Sequence, residues 1–217
     1  GQPDMTGFPQ AEEMELIQQY LDEIESLDGF GTNAPIYVPL NATPDALPTP
    51  RETTSPDSPV LLIDIDPHSP ERGRLIPVSF RFQEDATDWY RSNTLAIQPI
   101  WGFPLRPRTT HAVVLTTEIV QKGDEQTVGT DLRDTLIQLR IDPDTIAFHV
   151  QFTTQDSVGE LARFEERIAN DLSPQSIDQP LPRFNATTTF SAYEGSLWVP
   201  MWQHGSKPYF SSGGGFQ

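Results

Sequence analysis

Three carboxylates stand close together in the stretch DIDPHSPE: Asp64, Asp66 and Glu71. Apolar runs precede and follow them, which places them in a loop at the end of a strand. Oxygen-rich loops of that kind can hold Ca²⁺, a hard cation that takes several oxygen ligands. The spacing is not that of an EF-hand, so a solvated acidic loop is the competing reading. The four histidines, His68, His111, His149 and His204, form neither an HExxH nor an HxH pair and give no zinc signature. Alternation along its strand puts His149 opposite the apolar side, facing solvent. Aromatics surround His204 in WQHGSKP, which fits a structural or interface role better than a ligand.

Covalent hydrolysis needs an activated nucleophile. No Gly-x-Ser-x-Gly elbow occurs, because Gly195-Ser196 and Gly205-Ser206 each lack the second glycine, and there is no cysteine. A nucleophilic hydrolase within these residues is therefore not expected. The carboxylate pair of a glycosidase comes together only in space and leaves no spacing to read. Nor is there a glycine-rich phosphate loop. Trp89, Tyr90, Trp101, Trp198 and Trp202 offer flat faces on which a sugar or other polymer could stack, although core packing is the commoner use of such rings.

The elements that must position these residues are mostly strands. Val60–Ile65, Ile76–Phe82, Leu95–Trp101 and Ala112–Thr117 are short apolar runs rich in β-branched or aromatic residues. Each is bounded by Pro, Gly, Asp, Asn or Ser, the pattern of an all-β sandwich. Ala34–Leu40 reads as an edge strand, since Pro35 and Pro39 cannot donate to a ladder. Thr145–Thr154 reads as a strand with Ile146, Phe148, Val150 and Phe152 on one face. Two further strands are expected over Thr187–Ala192 and Leu197–Trp202. Helices are expected over residues 9–28, over a short stretch beginning at Asp131 as N-cap, and from about Asp156 to Leu172. In the first, Met14, Ile17, Leu21, Ile24 and Leu27 form one apolar stripe, which serves its own core or docks a partner. Gly29 reads as its stop.

Composition narrows the function classes. Of 217 residues, 31 are acidic and 14 basic, a formal charge of −17. That surface repels phosphate backbones and anionic lipid, so neither nucleic acid nor membrane adsorption is expected. No run approaches the length of a helical membrane span. The 21 prolines and 14 glycines suit a loop-rich β architecture.

Several phrases resemble one family: LDGFGTNAPIYVPL (27–40), IDPHSPERGRLIPVSFRF (65–82), NTLAIQPIWGFPLRPRTTHAVVLT (93–116), IDPDTIAFHVQFTTQ (141–155) and YEGSLWVPMW (193–202). Together they look like the N-terminal bacterial Ig-like region that precedes the α/β-hydrolase domain of exported esterases and lipases of the virulence-factor lipase type. The most specific piece is GFPLRPRTTHAVVLT, where such proteins usually carry a PLRPGTTYAVVVT-like phrase. Arg108 stands here in place of a turn glycine, and His111 in place of an aromatic. In that family the Tyr-Glu-Gly and Gly-Gly-Gly-Phe phrases lie just before the catalytic domain. The resemblance therefore puts the nucleophile, acid and catalytic histidine beyond Gln217 and carries over no catalytic residue.

The expected fold is a mainly β, Ig-like sandwich with two or three added helices. A helical segment (1–30), the sandwich (31–155), a helix and linker (156–182) and terminal strands (183–217) follow in order. The expected function is that of a non-catalytic accessory region of a secreted or cell-surface bacterial ester hydrolase. Its partner would be the downstream α/β-hydrolase domain, covalent or cleaved, with Trp198, Trp202, His204 and Tyr209 at the junction. The alternative is an adhesive or structural Ig-like module that associates with itself. No cofactor is expected beyond the Ca²⁺ site that Asp64, Asp66 and Glu71 would form.

Overall fold

A computed structural model describes residues 3, 5, 8–9, 14–25, 27–121, 127–171 and 183–194. They fall into two compact units, Gly1–Ala162 and Arg163–Gln217. The apolar runs form the strands β1 (Ile36–Pro39), β2 (Val60–Asp64), β3 (Val78–Gln83), β4 (Thr94–Pro99), β5 (Thr110–Thr116) and β6 (Ile146–Thr153). Two antiparallel sheets result, β1-β4-β3 and β2-β5-β6. The protein is thus mostly β, as the spacing of the runs implies.

One core draws on both sheets. Val38, Val78, Leu95 and Ile97 from β1-β4-β3 share a cluster with Val60, Leu62, Val113 and Leu115 from β2-β5-β6. A second core covers the other side of β2-β5-β6. There Leu61, Ile63, Ala112 and Val114 pack against Leu132 and Leu136 of helix α2 (Thr130–Gln138). Every residue of β2 is consequently buried, and its sequence VLLID shows no polar alternation.

Strand β6 departs from the expected single apolar face. The register slips between Leu115 and Thr116, so Phe148 pairs with Leu115 while Ile146 pairs with Thr116. Past this irregularity Ile146 joins the second core, whereas Phe148, Val150 and Phe152 pack on the first. His149 also differs from expectation: it is only partly exposed, and burial lowers its pKa.

The first helix, α1 (Glu15–Glu25), is shorter than its apolar stripe. Ile17, Leu21 and Ile24 are half-buried, while Met14 and Leu27 stand exposed. Gly29 does more than stop a helix. A Cβ there would lie 2.7 Å from the backbone of Thr153, Thr154 and Gln155. Phe30 bridges to Thr154 at this close approach, with Phe30 N–H donating to Thr153 O and Gln155 N–H to Phe30 O. Gly129, not Asp131, is the N-cap of α2. Helix α3 (Gly159–Asp171) begins where the Asp156 carboxylate accepts the Gly159 N–H at 2.7 Å.

Of the strand expected over Thr187–Ala192, Ser191 and Ala192 lie in β8 (Ser191–Tyr193), while residues 187–190 are the turn that joins it to β7 (Arg183–Ala186). The Thr187 hydroxyl accepts from the N–H groups of Thr189 and Phe190 and thereby closes the chain on itself. The strand expected over Leu197–Trp202 lies outside the described residues. Among the described residues no helix is long and apolar enough to cross a membrane.

Candidate functional site

The acidic loop that follows β2 is tied to itself rather than opened toward a ligand. Asp64 Oδ1 accepts the Asp66 N–H at 3.1 Å, and its Oδ2 accepts the Ser69 hydroxyl at 2.5 Å. Asp66 Oδ1 accepts the His68 N–H at 2.8 Å, and Oδ2 reaches across to the Thr110 N–H at 3.1 Å. Burial would raise the Asp66 pKa, but these two N–H donors and His68 outweigh it, and the pKa is lowered. Glu71 pairs with Arg74 at 2.7 Å, with Arg106 at 3.9 Å. The oxygens thus meet donors of the protein, and among the described residues no three His, Cys, Asp or Glu side chains are grouped to hold a metal ion.

His111 lies behind this loop and is fully buried. Its Nδ1 sits 3.0 Å from Thr109 O, and because a carbonyl only accepts, Nδ1 carries the proton of the neutral ring. Nε2 is buried and, among the described residues, has no hydrogen-bond partner. The residue borders a cavity of about 20 Å³ lined also by Asp64, Glu71, Arg74 and Arg106, room for a single water. Burial lowers the imidazole pKa, against the pull of Asp64, the Thr109 carbonyl and Asp66. A ring so enclosed is placed for packing, not for proton transfer to a substrate.

The surface with the geometry of a binding site is the outer face of β1-β4-β3. Strand register builds it in rows. Pro39, Thr94 and Gln83 align in one, and Tyr37, Ala96 and Arg81 in the next. Gln98 and Ser79 follow. Ala96 is the small residue in the middle, so the sheet is hollowed between the Tyr37 and Arg81 side chains. Here a cavity of about 240 Å³ opens, and a second of about 570 Å³ continues it past Tyr37, Tyr90 and Thr94 toward Trp89 and Arg91.

The rings are held in place. Tyr37 and Tyr90 lie with centroids 5.3 Å apart, tilted by 45°. Burial, then a hydrogen bond with Tyr90 and its charge, pushes the Tyr37 pKa up to about 12, while nearby Arg81 opposes the shift. The Thr87 hydroxyl accepts the N–H groups of both Trp89 and Tyr90 and fixes the turn that carries them. Gln98 Nε2 donates to Asn33 O at 3.1 Å, and Gln83 Nε2 to Asp85 O at 3.0 Å, so each amide is oriented by backbone.

Of the five aromatics read as a stacking face, the structure brings Trp89 and Tyr90 together. Trp101 is 85% exposed in the turn after β4, at the opposite end of that strand. Trp198 and Trp202 lie outside the described residues, as do His204 and Tyr209. Sequence reading missed Tyr37, Arg81 and the gap at Ala96. The available signal was period-two alternation in IYVP, VSFRFQ and TLAIQP, which puts these residues on the outward side of their strands.

Comparison with protein-family models, with curated proteins and with solved structures returns no match.

Proposed function

We propose that this chain is a non-catalytic accessory region of an exported bacterial ester hydrolase. In this reading it is an Ig-like sandwich that packs on, or supports the folding of, an α/β-hydrolase domain outside these residues. The observation that carries it is the backbone of Arg108, whose φ is 53°. That is the left-handed region that favours glycine. It falls where the PLRPGTT-like phrase of such proteins has its glycine. His111 adds support, since it occupies the aromatic position of the same phrase and stacks on Phe152 as an aromatic would. The phrases that carry the resemblance also supply β1, β4, β5, β6 and nearly all of β3, so they specify scaffold and not a reacting cluster.

The test is intact mass and gel analysis of the protein as isolated from its source. A polypeptide bearing a Gly-x-Ser-x-Gly elbow is expected, fused to this chain or associated with it, with aryl-ester hydrolysis following that polypeptide. Residues 1–217 alone are expected to hydrolyse none. A single species of 24.3 kDa that assembles only with itself would instead favour an adhesive or structural module. One observation leans that way: Leu16 and Tyr20 on α1 stand more than half exposed and could meet a second copy.

A further inference from the structure

The outer face of β1-β4-β3 carries a charge pattern opposite to that of the chain. With 31 acidic residues against 14 basic, a surface groove would ordinarily show carboxylates. Among the described residues no carboxylate lines its two connected cavities, and the charged side chains that do line them are Arg81 and Arg91. Both arginines are exposed, and among the described residues neither makes an ion pair. A guanidinium left open beside fixed aromatic rings in so acidic a protein matches a planar anion such as a carboxylate, which it can bind through two parallel hydrogen bonds.

We propose that this groove binds a short saccharide bearing carboxylates, of the uronic-acid class. Tyr37, Tyr90 and Trp89 supply ring faces for the apolar side of a pyranose. Gln83 and Gln98, already oriented by the backbone, supply amide oxygens and nitrogens for hydroxyl groups. Arg81 and Arg91 take the carboxylates. Few polar groups precisely set in a mostly apolar concavity is the usual composition of a small-ligand site. The strongly negative chain works against a long, densely charged polymer, so the fit is to a few sugar rings with separated charges. This inference goes beyond the accessory role proposed above and does not depend on an ester hydrolase being attached.

Calorimetric titration with trigalacturonate and with its methyl ester tests it, since the two share rings and differ in charge. The full chain should bind the acid at least tenfold more tightly than the ester, and added salt should narrow that gap. Arg81→Gln, an exposed change, should reduce the discrimination, and Arg81→Gln combined with Arg91→Gln should abolish it. Tyr90→Ala should weaken both ligands, and Tyr90→Phe should keep most of the affinity because the ring remains. Trp101→Ala, at the far end of β4, should change nothing. No binding at millimolar ligand would overturn the proposal. Equal binding of acid and ester would overturn it too, as would discrimination that survives Arg81→Gln combined with Arg91→Gln or is lost on Trp101→Ala.

Discussion

The imidazole of His111 lies stacked on the ring of Phe152, centroids 5.9 Å apart and planes 25° from parallel. The ring is fully buried, and burial lowers its pKa although Asp64, the Thr109 carbonyl and Asp66 favour the cation. In the unfolded chain the same group titrates near the ordinary value of about 6.5. Below that pH the unfolded state binds the proton that the folded state resists. Stability should therefore be full above about pH 6.5 and fall as pH drops below it. His149, whose pKa burial also lowers, adds a slope of the same sign. Urea midpoints across pH should show the decline, and His111→Phe should flatten part of it. An unchanged slope in that variant would mean that His111 does not titrate between the two states.

Arg108 holds a left-handed backbone, with its N–H donating to Thr154 O at 3.1 Å. A non-glycine residue held there costs on the order of 1–3 kcal/mol. Arg108→Gly removes that cost and loosens the unfolded chain, so the two effects largely cancel and stability should stay the same or rise slightly. Arg108→Val, with its branched Cβ, should unfold at clearly lower urea. A glycine variant less stable than the valine variant would contradict the strain argument.

Gly29 makes the opposite case. A methyl group added there meets three backbone atoms of residues 153–155 at 2.7 Å, and backbone cannot rotate away as a side chain can. Gly29→Ala should cost about 1–3 kcal/mol, in the range of overpacked sites. Hydrogen exchange should quicken at the Phe30 and Gln155 amides, whose bonds close this junction.

Burial gives a graded test. Leu62 is fully buried between the sheets, and truncation to alanine should cost about 2–5 kcal/mol. Leu16→Ala on the exposed side of α1 should stay within about 0.5 kcal/mol in the isolated chain. A large loss for Leu16→Ala would show that its side chain is covered in solution, as self-association requires.

The strands were legible because their apolar runs are short and cut by Pro, Gly and Asp. What lies on each side of them was less so. VLLID gives no alternation, so nothing in those letters separates a strand buried on both faces from one end of a buried helix. The slip between Leu115 and Thr116 sends Ile146 to a different core from Phe148, although plain alternation unites them. Thr187 reads as a strand residue by β-branching, yet its hydroxyl makes the turn. In the groove, Trp89 and Tyr90 stand out as letters. Tyr37, Ala96 and Arg81 meet only through the register of three strands that are distant in the chain.

Strand β2 has a further consequence for how the chain is made. Its nearest ladder partner is β5, and β3 and β4 must be synthesised before that partner exists. Until then only the bridge from Ile63 to Leu75 pairs it, and Val60–Ile63 is otherwise an uncharged, β-prone segment, the kind that recruits other copies of itself. Pro59 on one side, and Asp64 and Asp66 on the other, bracket it with a residue that cannot donate a ladder bond and with negative charge. The acidic loop so acts twice: it caps a strand in the finished fold, and it guards that strand while the chain is still incomplete.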